Sequence, residues 1–226
     1  LETPVTGGNV SLYNESIDDE GNKKPIQPTP VIGMVGVLDN VKQAVSSGWK
    51  NINDEIWIIG SRDSGLTLGA TSYLEYFHGQ ITGRPPSLNL IDEKLCQLFI
   101  RNGILNNLII SSHDISDGGL AIALAEACIL SDKGASINLI ADERIDSLLF
   151  SEGGSRIIFS ISHMKKNEWL KFVSEESKNF TDSIYVTKIG TVLQDTLKIK
   201  ISDNIICDLK ISTLADKFNN GLSNNF

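Results

Sequence analysis

A loop near the start of the sequence combines residue types that hold phosphate and metal ions. It runs from Gly7 to Ser11 within the string GGNVSLYN. Because glycine has no side chain, the backbone at Gly8 can approach a ligand closely. The carboxamide oxygen of Asn9 is a ligand type that Mg²⁺ accepts, and Ser11 adds a hydroxyl. The pattern predicts a loop that contacts phosphate and a metal ion at the edge of a binding site. The alternative is an ordinary glycine turn between strands.

A second loop reads SSHDISDGGL and leads into the clearest helical pattern of the chain, over residues 117–130. Ser116 or Asp117 is placed to cap this helix, and free N–H groups at a helix start attract anions. His113 and Asp114 can hydrogen-bond each other or a ligand. The alternative to a phosphate site is a capped helix with a loop histidine that titrates freely.

A third loop, FSEGGSR, places a glycine pair between Glu152 and Arg156 just before a predicted strand. Such a loop can hold a ligand at the end of a sheet. The alternative is a surface turn with an exposed ion pair, which would contribute ~0–1 kcal/mol to stability. The sequence has no Walker pattern, so a nucleotide would be held in another way.

The composition limits the classes of function. With 226 residues, 41% of them hydrophobic, the chain can build a packed core. A net charge of −8 and the lack of a basic stripe argue against nucleic acid as a partner. The sequence has neither signal-peptide features nor an apolar run near the ~20 residues that span a bilayer. We therefore expect a cytoplasmic protein with no membrane partner.

The three cysteines, Cys96, Cys128 and Cys207, lie far apart and form no CxxC pair. We expect them to be buried, reduced thiols, which suits a reducing compartment.

The hydrophobic pattern predicts an α/β sandwich with a mixed sheet, because strands alternate with helices and then follow one another directly. Predicted strands cover residues 31–38, 56–60, 108–111, 135–140, 155–161, 184–192, 197–201 and 205–211. Predicted helices cover residues 41–49, 92–103, 117–130 and 165–177, and residues 73–77 are predicted to form a short helix or a turn. The remaining predictions are a polar loop over residues 14–27, a domain boundary near residue 50 and a frayed tail over residues 219–226.

Four strings occur in the order found in phosphoribosylformylglycinamidine synthases: GGNVSLYN, PTPVIGMVG, HGQITGRPP and SSHDISDGGLAIALAEA. Nearly the whole chain resembles the C-terminal part of the small, separate synthetase subunit (subunit II) of this family. Aminoimidazole ribonucleotide synthetase, selenophosphate synthetase and thiamine-monophosphate kinase are similar in the SDGG region but lack GNVSLYN.

The resemblance implies an enzyme of two similar halves. Residues 1–49 would be the C-terminal part of the second N-terminal-type, ATP-binding domain. Residues 50–214 would be the second C-terminal-type domain, an α/β (α+β) mixed sheet of the aminoimidazole ribonucleotide synthetase-like superfamily. Residues 215–226 would form a polar tail. We expect the chain to be a fragment that is inactive alone and that self-associates through uncovered apolar surface.

The resemblance also implies an ATP-dependent conversion of formylglycinamide ribonucleotide to its amidine in purine biosynthesis. Ammonia would come from a glutaminase subunit, joined by a small bridging subunit. Gly8 would contact ATP, Asn9 would bind Mg²⁺ and Ser11 would contact the substrate. No catalytic residue is expected in this chain, because the catalytic histidines of the family lie in the first half, which we expect upstream.

The second half of such an enzyme holds an auxiliary nucleotide. The candidate residues for that site are His113, Asp114, Asp117, Gly118, Gly119, Glu152 and Arg156. His113 stands where the first half has a glutamine, and Glu152-Gly153-Gly154 stands where it has Glu-Ser-Gln. These differences favour a second hypothesis, a structural half that binds nucleotide without turnover. A synthetase or kinase acting on another small molecule is the third.

Overall fold

The structure is a computed structural model that describes residues 3–11, 13–26, 29–62, 65–140 and 144–221. The chain divides into two compact units, residues 1–39 and residues 40–226. The family-based domain boundaries stay predictions.

The first unit contains one short hairpin and little other regular structure. Strands β1 (Glu15–Ile17) and β2 (Lys23–Pro25) pair antiparallel within the predicted polar loop. Asp18 closes the turn, since its Oδ1 accepts the backbone N–H of Asn22 at 2.8 Å. The prediction of a buried strand over residues 31–38 was wrong. These residues form no strand and are exposed, because a strand is buried only when it pairs and packs, and the described part of this unit offers it no partner strand.

The second unit is built on a seven-stranded mixed sheet. Its strands are β3 (Glu55–Ser61), β4 (Ile109–Asp114), β5 (Gly134–Leu139), β6 (Arg156–Ile161), β7 (Ile184–Leu193), β8 (Thr196–Ile201) and β9 (Asn204–Lys210). The spatial order is β4-β6-β3-β7-β5-β8-β9, and the β5–β8 pair is parallel while the other pairs are antiparallel. The predicted mixed α/β fold is confirmed.

Helices cover both faces of this sheet. They are α1 (Ser72–His78), α2 (Leu90–Leu105), α3 (Gly119–Ser131), α4 (Ile145–Phe150), α5 (Lys166–Glu176) and α6 (Ile211–Asn220). Helices α3, α4 and α6 share one hydrophobic core with the sheet, and α2 and α5 share the other. The hydrophobic pattern does not predict α4, which is too short to show a helical period. It also does not predict α6, which extends through the first residues of the predicted tail. Residues 222–226 lie outside the described residues. The predicted helix over residues 41–49 is reduced to one 3₁₀ turn, Val41–Gln43.

The central strand β3 joins the two cores. All seven of its residues are buried. Ile56 and Ile58 face the core that contains α3, whereas Trp57 and Ile59 face the core that contains α5. Trp57 packs edge-on against Trp169 of α5 with ring centroids 5.5 Å apart. Burial on both faces explains why β3 is a continuous apolar run rather than an alternating one.

The three thiols are free, with Cys96 and Cys128 buried and Cys207 half-buried. Burial raises the pKa of Cys96 to about 12 and the pKa of Cys128 to about 11, which keeps both as inert thiols.

Within the described ranges, no helix has the length and apolar character needed to cross a bilayer.

A buried carboxylate ties α2 to the sheet. Asp92 accepts hydrogen bonds from the hydroxyls of Ser61, Thr181 and Ser183, at the end of β3 and just before β7. Burial raises the pKa of Asp92, but the bonds from the three hydroxyls outweigh that effect and leave the pKa below its ordinary value of 3.8. Asp92 therefore stabilises the fold as a carboxylate.

Asp92→Asn should lower the free energy of unfolding by about 2 kcal/mol at neutral pH, because hydrogen bonds to a charged acceptor are lost. A carboxylate whose pKa is depressed by folding stabilises the protein above its unfolded pKa, and this contribution fades as the pH falls to the folded pKa. The difference between the two proteins should therefore shrink below about pH 4. Urea unfolding at several pH values measures it. Asp182→Asn, at a neighbouring exposed carboxylate, is the control, and a pH-independent difference would contradict the assignment.

Candidate functional site

Two of the three loops singled out by the sequence, the one after β4 and the one before β6, lie at the same edge of the sheet. Strands β3 and β4 run antiparallel to β6, and strands β3 and β5 run antiparallel to β7. The C-terminal ends of β3, β4 and β5 therefore lie beside the N-terminal ends of β6 and β7. The loop after β4 thus lies next to the loop before β6. The backbone of Ile115 donates to the carbonyl of Arg156 at 3.0 Å and extends this pairing by one residue.

The loop after β4 turns into α3 through two glycines with positive φ, Gly118 at 78° and Gly119 at 72°. A Cβ on Gly119 would lie 2.7 Å from the backbone of Leu149 and Phe150, so only glycine fits this close approach. Ser116 or Asp117 was predicted to cap α3, and this was wrong. Gly118 is the N-cap residue and no side chain caps the helix, because the two glycine turns carry the chain into the helix in their place. Asp117 is exposed.

Glu152 holds two loops together. Its Oε1 accepts the backbone N–H of Gly118 at 2.7 Å and the backbone N–H of Ser72, the first residue of α1, at 2.9 Å. A carboxylate beside two helix starts also interacts favourably with their dipoles. The half-buried Glu152 therefore fixes the positions of the loop before α3 and of α1 relative to the sheet.

His113 and Asp114 are neighbours in space as well as in sequence. The Nδ1 of His113 lies 2.7 Å from the backbone oxygen of Asp114 and 3.6 Å from the Oδ1 of the same residue. The Nε2 of His113 lies 3.3 Å from the carboxylate of Glu126 on α3. The ring is mostly buried, and the contacts above show that both of its nitrogens face protein oxygens.

Arg156 is not part of a surface ion pair. The residue is 3% exposed and its Nη2 donates to the carbonyl of Ser151, while Glu152 bonds to other groups. Burial lowers the pKa of Arg156. The alternative interpretation of the third loop as an exposed turn with an ion pair was therefore wrong, because the side chain follows the strand pleat onto the α3 face of the sheet.

Gly8, Asn9 and Ser11 lie in the first unit and are exposed. The hydroxyl of Ser11 donates to the carbonyl of Tyr13 at 3.2 Å. The Asn9 carboxamide offers one oxygen, and among the described residues no three His, Cys, Asp or Glu side chains cluster as a metal site. Asn9 would therefore supply at most one oxygen to Mg²⁺, and water and phosphate oxygens would have to provide the other ligands.

Sequence reasoning missed three residues at the same edge, Ser72, Arg62 and Tyr185. Ser72 contributes only a backbone N–H, which no sequence motif reveals. The sequence does contain a signal for Tyr185. Gly60 follows an apolar strand run, and a glycine at such a position often marks a place where another group packs closely against the strand backbone. A Cβ on Gly60 would lie 2.6 Å from the Tyr185 hydroxyl.

The sequence matches the family described as AIR synthase related protein, C-terminal domain, over residues 51–197. The phosphoribosylformylglycinamidine synthase subunit PurL of Prochlorococcus marinus strain AS9601 is 63% identical over 100% of this chain, and the PurL of strain MIT 9313 is 41% identical over 96% of it. The chain spans 29% of the length of each of these curated relatives.

Solved structures of Thermotoga maritima PurL have the same fold. The structure complexed with FGAR aligns with a TM-score of 0.61 at 17% identity, covering 77% of this chain and 30% of that one. The structure complexed with ATP aligns with a TM-score of 0.58 at 17% identity, covering 77% and 28%. At this identity the likeness concerns the fold alone.

Glu152→Ala should lower the free energy of unfolding by about 1–3 kcal/mol, because two backbone N–H groups lose their acceptor. Glu152→Gln keeps an acceptor oxygen and should lose less. Urea unfolding measures the stability, and hydrogen exchange should accelerate at the amides of Ser72 and Gly118. Glu168→Ala, at an exposed position of α5, serves as the control. Unchanged exchange at both amides would contradict the bridging role.

Proposed function

The chain belongs to the family of AIR synthase related proteins, whose C-terminal domain it carries over residues 51–197, and we propose that it is part of an ATP-dependent ligase of purine biosynthesis. The proposed reaction converts formylglycinamide ribonucleotide, ATP and glutamine-derived ammonia to formylglycinamidine ribonucleotide. The observation that carries the proposal is the 63% identity to a PurL subunit along the whole chain. Since the chain spans 29% of that relative, the activity is proposed for a longer protein that includes this sequence.

In this proposal the first loop serves the ATP site. Gly8 lets the backbone approach the phosphates, Asn9 supplies one oxygen ligand to Mg²⁺, and Ser11 contacts the substrate. Bound Mg²⁺ would neutralise phosphate charge and orient the transfer. The exposure of all three residues supports this assignment, because each is accessible to a ligand. The groups that activate the substrate would come from elsewhere in the longer protein.

A second candidate function is an auxiliary half that binds nucleotide without turning it over. It is supported by the contacts at the sheet edge, where Glu152 bonds two backbone amides and His113 faces Asp114 and Glu126. Side chains engaged in this way hold loops in position rather than stand ready for proton transfer. In this candidate, Asp117, Gly118 and Gly119 line the nucleotide site together with these residues.

We further propose that the longer protein is the small, separate form of the synthetase subunit (subunit II). Its partners would be a glutaminase subunit that supplies ammonia and a small subunit that bridges the two. The cytoplasm is the proposed location, which three free thiols support because thiols persist in a reducing compartment.

The first test compares this chain with the longer protein. ADP release is measured with ATP, Mg²⁺, ammonia and formylglycinamide ribonucleotide. We expect turnover by the longer protein and none by this chain alone, because the proposed catalytic groups lie outside it. Turnover by this chain alone would refute that division and would make His113 the leading catalytic candidate.

Asn9→Ala in the longer protein should raise the Mg²⁺ concentration that gives half-maximal turnover about tenfold or more, since one oxygen ligand is lost. Saturating Mg²⁺ should restore part of the rate. The matched control is Asn167→Ala, which removes an exposed carboxamide from α5. Equal turnover by the Asn9→Ala protein and the control at limiting Mg²⁺ would rule out the assignment of Asn9.

A further inference from the structure

A cavity of about 790 Å³ lies on the α3 face of the sheet, at the edge where β3 and β5 end and β6 and β7 begin. Its volume is in the range of small-molecule sites. Leu120, Leu139 and Leu148 form an apolar part of the wall. The lining also contains three cationic side chains and the hydroxyls of Ser61, Tyr185 and Thr187, and among the described lining residues none is an aspartate or a glutamate.

Arg156 provides a buried charge that no described residue neutralises. Its side chain lines the cavity, the residue is 3% exposed, and its Nε has no hydrogen-bond partner among the described residues. The described residues place no carboxylate in an ion pair with it; the carbonyl of Ser151 is its acceptor. A buried guanidinium with so few partners is unfavourable unless an anion compensates it.

Tyr185 and Arg62 line the same cavity as Arg156. The register pairs Arg156 of β6 with Gly60 of β3, and the hydroxyl of Tyr185 lies over Gly60. The guanidinium of Arg62 lies 5.6 Å from the centre of the Tyr185 ring, and its Nη1 donates to the carbonyl of Asp182 at 3.2 Å. Two cations thus flank one phenol, and this arrangement offers charged and neutral donors to an anion.

The Tyr185 hydroxyl stays protonated and able to donate. Burial raises the pKa of Tyr185, and the two arginines reverse only part of that effect. Lys188 also lines the cavity, but its Nζ is paired with Glu55 at 2.8 Å. Arg156, Arg62 and Tyr185 are therefore the cationic and phenolic groups of the described lining that remain for a ligand.

We propose that this cavity binds a small phosphate ester, with the phosphate held between Arg156, Arg62 and Tyr185 and the organic part against the leucine wall. A guanidinium presents a planar set of donors that matches phosphate oxygens. A volume of about 790 Å³ leaves room for an organic part beside the phosphate, and contacts with that part favour an ester over free phosphate. The site needs no turnover, so it is independent of the ligase reaction.

The test measures binding of ribose 5-phosphate to this chain by isothermal titration, with ribose and inorganic phosphate as comparison ligands. Ribose 5-phosphate should bind, inorganic phosphate should bind more weakly, and ribose should not bind. Arg62→Gln should weaken the binding of ribose 5-phosphate at least about tenfold, and Tyr185→Phe should weaken it severalfold. Both variants change partly exposed groups, and circular dichroism checks their folding. Arg101→Gln removes an exposed arginine on α2 and should change nothing.

Three outcomes would overturn the proposal: no binding of ribose 5-phosphate, equally tight binding of inorganic phosphate, or binding that neither Arg62→Gln nor Tyr185→Phe weakens. Arg156→Lys keeps the charge but loses the planar donor set, and it should also weaken binding. Because the assay contains no ATP and no ammonia, its result is separate from that of the ligase assay. A failed ligase assay would leave this binding site standing, and a failed binding assay would leave the proposed ligase standing.

Discussion

The pairing of β3 between β6 and β7 is the constraint on which the rest of the second unit depends. β3 is buried on both faces, so its neighbours must align with it in one register to keep Ile56 and Ile58 in one core and Trp57 in the other. A shift by one residue would exchange the two faces. The same register brings Gly60 opposite Arg156 and Tyr185, and it therefore builds the candidate site as a consequence of building the core.

Small residues and single carboxylates then position the loops at the edge of the sheet. Gly119 lets α3 begin in contact with the end of α4, where any side chain would collide with backbone atoms. Glu152 connects that point to the start of α1, and Asp92 connects the start of α2 to the end of β3. These interactions are short in range but join segments far apart in sequence. The loop positions are thus determined by a few buried or half-buried polar groups rather than by the loops themselves.

The sequence predicted most strands of the second unit because their apolar runs are long and bounded by turns. It failed for residues 31–38, where the composition of a strand is present but no described strand pairs with it. It also failed for the cap of α3, because a glycine turn can replace a side-chain cap and glycine patterns do not distinguish the two. The third loop was located correctly, but the burial of Arg156 depends on the strand pleat and on its pairing opposite Gly60, which lies 96 residues earlier. Contacts between distant segments of this kind leave almost no local signal.

The edge of the sheet carries two electrostatic environments that favour different ligand groups. At the start of α3, the carboxylate of Glu152 already accepts the backbone N–H of Gly118 and adds a negative charge, so a second anion there would be repelled. On the α3 face of the sheet, Arg156 is buried with no counter-ion among the described residues, and Arg62 lines the same cavity. An anionic ligand that reaches this edge is therefore drawn toward the cavity and away from the loop. If a nucleotide binds along this edge, its uncharged parts belong beside Glu152 and its phosphates belong with the arginines.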